Sequence, residues 1–132
     1  MRAMMAAAER RAWVVVALVF LSTVSGGVSV GCGCSGIALA GLNVTVVDGA
    51  TGAAVCDVTV TAQDGDHVET LNEFPAAAGG CTYVGATERT GTYTLTATSG
   101  SRSKVVMNVR VIEAGGYCRH VATTMATITL DP

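Results

Sequence analysis

The chain has 132 residues, enough for one domain at most. Half of them are apolar, mostly Ala and Val, while aromatics make up only 5% and charged residues 14%, so the apolar content is small and β-branched and leans towards an all-β domain. Net charge is −2; from residue 33 onward five basic residues (Arg89, Arg102, Lys104, Arg110, Arg119) stand against nine acidic ones, and with no basic stripe nucleic acid is not an expected partner.

Residues 1–11, MRAMMAAAERR, are basic, with Arg2, Arg10 and Arg11 against Glu9. Residues 12–24, AWVVVALVFLSTV, are uncharged and apolar, and small residues follow. This is the order of a secretory signal peptide. The strict apolar run is shorter than the roughly 20 residues a membrane-spanning helix needs. Extension through Ser25 to Val30 keeps an uncleaved anchor helix as the other reading. Residues 1–31 are therefore expected to be a signal peptide and 32–41 a Gly/Ala-rich tether. Ser29-Val30-Gly31-Cys32 resembles a bacterial lipobox, in which a small residue precedes a cysteine that receives a diacylglyceryl group. Gly31 and Cys32 match, and Ser29 stands where Leu is usual. The resemblance implies lipidation at Cys32 and a membrane lipid anchor; ordinary cleavage would instead give a freely secreted or periplasmic protein.

The five cysteines, Cys32, Cys34, Cys56, Cys81 and Cys118, read as a disulfide framework in an exported domain of this size. Lipidation of Cys32 would leave an even four: Cys34, Cys56, Cys81 and Cys118. Four allow three pairings, and the preferred one is Cys56–Cys81, which would tie two early strands together. A metal site is not expected, because Cys32-Gly-Cys34 is too closely spaced for a usual zinc pair and His67 and His120 are isolated.

In chain order, Leu42 to Val47 alternates apolar and polar residues, a strand signal. Asp48-Gly49 and Thr51-Gly52 mark a turn. Val55 to Ala62 alternates again, with a shift of phase near Cys56, and Gln63 to Asp66 turns. His67 to Phe74 is expected as a short edge strand, Pro75 to Gly80 as a loop, and Cys81 to Thr87 as a strand broken by Gly85. Arg89 to Gly91 turn into Thr92 to Thr98, which places Tyr93, Leu95 and Ala97 on one face and threonines on the other. Lys104 to Ile112 is expected to place Val105, Met107, Val109 and Val111 on one face. Val121 to Leu130 closes the domain with Met125, Ile128 and Leu130. About seven strands at roughly 8–12-residue spacing are the pattern of a β-sandwich.

Val44-Thr45-Val46-Val47-Asp48, Thr51-Gly52 and Val55-Cys56-Asp57-Val58-Thr59-Val60 resemble the opening of carboxypeptidase regulatory-like domains, where a strand, a D-x-x-T-G-x-P-V turn and a second strand form the first hairpin. Gly91-Thr92-Tyr93-Thr94-Leu95 is similar to that family's G-x-Y-x-L element, while Ala54 stands where the family usually has Pro. The resemblance covers about residues 42–130. It implies a transthyretin-like, seven-stranded Greek-key β-sandwich over 42–132; the N-terminal signal or anchor helix expected from residues 1–31 would precede it. It implies no catalytic residue, since the module accompanies enzymes and surface proteins without doing chemistry.

The residues themselves carry no Ser/His/Asp motif and no phosphate-binding glycine loop. Asp64, Asp66, Glu69 and Glu73 are expected to form a solvated turn and edge strand rather than a Ca²⁺ site. Tyr93 is expected in the core, leaving Phe74, Tyr83 and Tyr117 as candidate surface aromatics. Asn43-Val44-Thr45 matches a glycosylation sequon but falls within a predicted strand. The expected function is a non-catalytic exported or lipid-anchored module with a structural or protein-interaction role at the cell envelope, needing no cofactor and contacting an envelope protein. The alternatives are a module binding small molecules or carbohydrate, or an accessory domain of a peptidase system.

Overall fold

Alternation of Val with Thr dictates strands with one apolar and one hydroxylated face, and such strands are stable only when their apolar faces meet. The computed structural model describes residues 36–132, all within the second of the chain's two units, Gly31–Pro132. The expectations for the signal or anchor helix, the lipobox, Cys32 and Cys34 lie outside the described residues.

The described residues form strands and turns and no helix: β1 (Leu42–Asp48), β2 (Thr59–Asp64), β3 (His67–Thr70), β4 (Asn72–Pro75), β5 (Cys81–Gly85), β6 (Gly91–Ser99), β7 (Arg102–Val111), β8 (Glu113–Ala114), β9 (His120–Val121) and β10 (Thr124–Leu130). Two four-stranded sheets hold the long strands, one in the order β10-β1-β5-β4 and the other β3-β2-β6-β7; β8 and β9 form a small ribbon. Within the first sheet β1 is central. It pairs antiparallel with β5 and parallel with β10, in register from Leu42 opposite Thr124 to Asp48 opposite Leu130.

One hydrophobic core takes side chains from both sheets. Leu42, Val44 and Val46 of β1, Tyr83 of β5 and Ile128 and Leu130 of β10 come from the first sheet. Val60, Ala62, Tyr93, Leu95, Ala97 and Val111 come from the second. The described residues are thus all-β and sandwich-like. Burying each of the larger apolar side chains contributes roughly 1.5–3 kcal/mol, and with few aromatics available the two tyrosines are the largest fully buried side chains.

Four details depart from the expectations. The run 67–75 is not a single edge strand: β3 pairs with β2 in one sheet, β4 with β5 in the other, and Leu71, buried between them, is where the chain changes sheets. The strand expected from Val55 starts only at Thr59, because Asp57 adopts a left-handed conformation (φ 58°) that breaks the alternation. Met125 is exposed, since period two with inward Ile128 and Leu130 turns it to the outer face. In β7, Val105 and Met107 are exposed while Val106, Val109 and Val111 pack inward.

The last departure has a local cause. Tyr93 stands opposite Val109 but Leu95 opposite Val106, so β7 carries one extra residue between them. Asn108 absorbs it with φ 62°. A β-bulge of this kind inserts a residue and reverses the phase of the alternation. Asn tolerates the left-handed region where a β-branched residue does not. Asn108→Val should therefore destabilise the fold by about 1–2 kcal/mol, whereas Asn108→Gly should sit close to the native chain. Urea unfolding midpoints at constant m-value measure this, and equal midpoints for the Val and Gly variants would show that the bulge does not depend on that conformation.

Candidate functional site

The end of β1 shows how this chain uses its polar residues. Asp48 closes the turn through Oδ1, which accepts from the amides of Ala50 (2.9 Å) and Thr51 (3.2 Å). Its backbone carbonyl accepts from Gly52 N at 2.7 Å, and Gly52 takes the positive φ (71°) that the reversal requires. Asp48 Oδ2 accepts from Arg102 Nη1 at 2.6 Å, joining the turn to β7 of the other sheet. The Arg102 hydrogen bond, helped by the two turn amides, holds the Asp48 carboxyl below its ordinary 3.8.

The chain then returns alongside the end of β1 as a strap, residues 53–58. Ala54 bridges Val47, and Val55 N donates to Val46 O at 2.8 Å. Further on, the strap is held from below. The Tyr83 hydroxyl donates to Val55 O (3.2 Å) and accepts from Val58 N (3.1 Å), gripping the backbone on either side of Cys56 and Asp57. Tyr83 is fully buried rather than a surface aromatic. Burial pushes its phenol above its ordinary 10.0, reinforced by the carboxylates of Glu73 and Asp57, so the hydroxyl keeps the proton it donates.

The preferred disulfide pairing is present. Cys56 in the strap is bonded to Cys81 at the start of β5, with Cα atoms 5.3 Å apart and a sequence separation of 25. A loop of that length corresponds to about 3.5 kcal/mol of stabilisation in the chain-entropy account. Cys118 is also disulfide-bonded. Beside the first bridge stands Glu73 of β4, whose Oε1 accepts from Asp57 N at 3.5 Å. The two sulfurs and a Glu73 carboxylate oxygen all lie within 4.8 Å of one another.

At another corner a cleft of about 450 Å³ is lined by Ile37, Leu39, Glu88, Cys118, Arg119 and His120, together with Gly36 and Ala38. Ala86 (φ 51°) and Glu88 (φ 53°) both adopt left-handed conformations there. They hold the segment before β1: Gly41 N donates to Ala86 O, Glu88 N to Leu39 O, and Leu39 N to Glu88 Oε1. Arg119 is ion-paired with Glu113, and His120 Nδ1 lies 2.9 Å from Cys118 O, which as a carbonyl can only accept. The cleft's charged and polar groups are thus engaged with neighbouring protein groups.

The acidic stretch is dispersed by the strands that carry it. Asp64 faces Arg89 at 3.7 Å, Glu69 accepts from Ala86 N, and Glu73 turns to the strap. Gly91 fits here because a Cβ would meet the Asp64 carboxylate and the Tyr93 ring. Tyr93 is buried as expected, its hydroxyl donating to Arg89 O at 3.2 Å. His67 and His120 belong to no group of ligating side chains among the described residues. Phe74 and Tyr117 are exposed. Asn43 sits inside central β1, paired with Val84 and Met125. Sequence reasoning missed the Tyr83 clamp and the Asp48–Arg102 tie. The first had a signal, since Tyr83 shares the parity of Cys81 on a short strand; the second, between distant turns, had none.

No family model matches this chain, and no curated protein matches it.

Tyr83→Phe should cost about 1–3 kcal/mol, since it keeps the ring but removes the buried bond from Val58 N and the part-buried bond to Val55 O. Thermal unfolding measures this, and an unchanged melting temperature would mean that the strap is held without the hydroxyl. Asp48 gives a pH signature. Its folded pKa lies below its unfolded one, so its contribution is full well above pH 3.8 and is lost as pH falls through the folded value. Asp48→Asn preserves the turn acceptor but removes the charge. Its stability deficit should be greatest near neutral pH and shrink below 3.8; a deficit constant across the pH series would remove the charge from the explanation.

Proposed function

We propose that this chain is a non-catalytic, exported β-sandwich module with a structural or protein-interaction role at the cell envelope. One observation carries it: the carboxylates are used to tie turns and corners, and the two outer sheet faces carry threonines and exposed apolar side chains such as Val68, Val105 and Met125 with almost no charge. Seven of the nine carboxylates between residues 36 and 132 contact another group of the fold: Asp48, Asp64, Glu69, Glu73, Glu88, Glu113 and Asp131. By register and alternation, the outer face of one sheet carries Thr59 opposite Thr98 and Thr61 opposite Thr96, with Thr70 beyond. The other presents Phe74, Thr82, Thr45 and Thr127 in one row. Arg110, at one end of β7, is the charged exception on these faces. Faces of this kind suit packing against other neutral surfaces rather than attracting a charged substrate.

Three further features support this. Disulfide-bonded cysteines fit an oxidising compartment. Counted as one strand that changes sheets at Leu71, the run 67–75 brings the long strands to seven, the number of the transthyretin-like Greek-key fold. The hydrogen-bonded Asp48-x-x-Thr51-Gly52 turn fits the opening hairpin of carboxypeptidase regulatory-like domains. In this proposal Cys32 carries the lipid anchor and an envelope protein is the partner.

Fractionation of the native host followed by intact-mass measurement tests this. The expected product is found in the membrane fraction, begins at Cys32 and carries a diacylglyceryl increment, and in-cell crosslinking joins it to an envelope protein. A full-length, lipid-free chain in the cytoplasm would overturn the proposal. A lipid-free secreted chain that binds immobilised glycans would favour the carbohydrate-binding alternative.

A further inference from the structure

The strap does not hang from its disulfide alone. The Val55 amide, the two contacts of the Tyr83 hydroxyl and the bond from Asp57 N to Glu73 hold it on both sides of Cys56. Cys81 is fixed separately by β5, which pairs with β1 and β4. Breaking the S–S bond therefore leaves the two cysteines facing one another. Glu73 brings a carboxylate to the same spot, within 4.8 Å of both sulfurs.

While bonded to each other, these sulfurs are not thiolates and offer a metal ion little. Reduced, they are a different donor set. Two thiolates and a carboxylate are ligands that Zn²⁺ takes, at about 2.3 Å to sulfur and about 2.0–2.2 Å to oxygen, with a fourth position open to water. Reduction frees the two sulfurs to separate to the roughly 3.8 Å that two tetrahedral Zn–S bonds require, and rotation of the Glu73 side chain brings its carboxylate to the same ion. Asp57, next to Cys56, adds negative charge, and its amide orients the Glu73 carboxylate as a supporting hydrogen bond does in built metal sites.

We propose that Cys56, Glu73 and Cys81 form a redox-gated Zn²⁺ site, shut as a disulfide and opened by reduction. An external dithiol supplies the two electrons: its own two sulfurs join as a disulfide, and its two hydrogens pass to Cys56 and Cys81. Zn²⁺ then displaces the two thiol protons to solvent and binds the resulting thiolates. A newly made chain, before oxidation, holds the same ligand set.

The test uses the full chain, oxidised or reduced with a dithiol and desalted without air. Each form is titrated with Co²⁺, read by thiolate-to-cobalt charge-transfer absorption, and then with Zn²⁺ to displace it. The reduced chain should give a thiolate signal that Zn²⁺ abolishes, and the oxidised chain none. Glu73→Gln should weaken binding at least tenfold, and Cys56→Ser should lose the signal. A full signal in reduced Cys56→Ser would assign binding to the other thiols and overturn the proposal, as would a reduced native chain without signal. If Cys56→Ser does not fold, Glu73→Gln decides alone: it keeps both cysteines, and unchanged affinity would overturn the site.

Discussion

The parallel pairing of β1 with β10 is the constraint on which the remaining structure depends. These strands come from opposite ends of the described residues, so their union closes the longest loop in the domain, and loop entropy must be overcome before any core contact rewards it. Once made, it places a fully hydrogen-bonded strand at the centre of one sheet, with Leu42, Val44 and Val46 buried on one side. The turn after β1 is fixed from β10, since Gly49 N donates to Leu130 O at 2.8 Å. The strap hangs from that turn. Its disulfide, its tyrosine clamp and the Glu73 carboxylate all inherit their positions from a pairing in which none of them takes part.

Charge has a secondary but consistent role. The carboxylates sit at turns and corners, where backbone amides or arginines need an acceptor, and their worth lies in geometry more than in Coulomb energy. Most of these pairs are partly exposed and individually weak. The Asp48–Arg102 contact differs in joining the two sheets while also completing a turn. Keeping ionisable groups at the periphery also leaves the sheet faces to threonine, whose branched Cβ suits the pleat and whose hydroxyl remains compatible with water.

The fold class was legible because alternation of Val and Thr is a direct readout of which face is buried. Leu42 to Val47 and Thr92 to Thr98 follow it without error. The pattern misled where the backbone departed from period two. Nothing in Val105 to Val111 marks the extra residue at Asn108, so period two puts Val105 and Met107 on the same face as Val109 and Val111, which the bulge separates. The same limit hid the sheet change at Leu71, since an extended chain looks alike whichever neighbour it hydrogen-bonds. The Cys56–Cys81 pairing was legible as a preference. What surrounds it was not, because Tyr83, Glu73 and Asp57 meet only through the placement of β4, β5 and the strap.

The bulge at Asn108 also bears on what this domain avoids becoming. β7 is the longest strand and lies at the edge of its sheet, with Val105 and Met107 exposed along it. A flat edge of that length is a template on which a second chain can add strands and, by repetition, a fibre can grow. The inserted residue interrupts the row of backbone donors and acceptors midway and sharpens the local twist, so an incoming strand finds two short, misaligned halves instead of one continuous edge. The same residue that reverses the side-chain alternation of β7 thereby also guards its edge against strand-by-strand polymerisation.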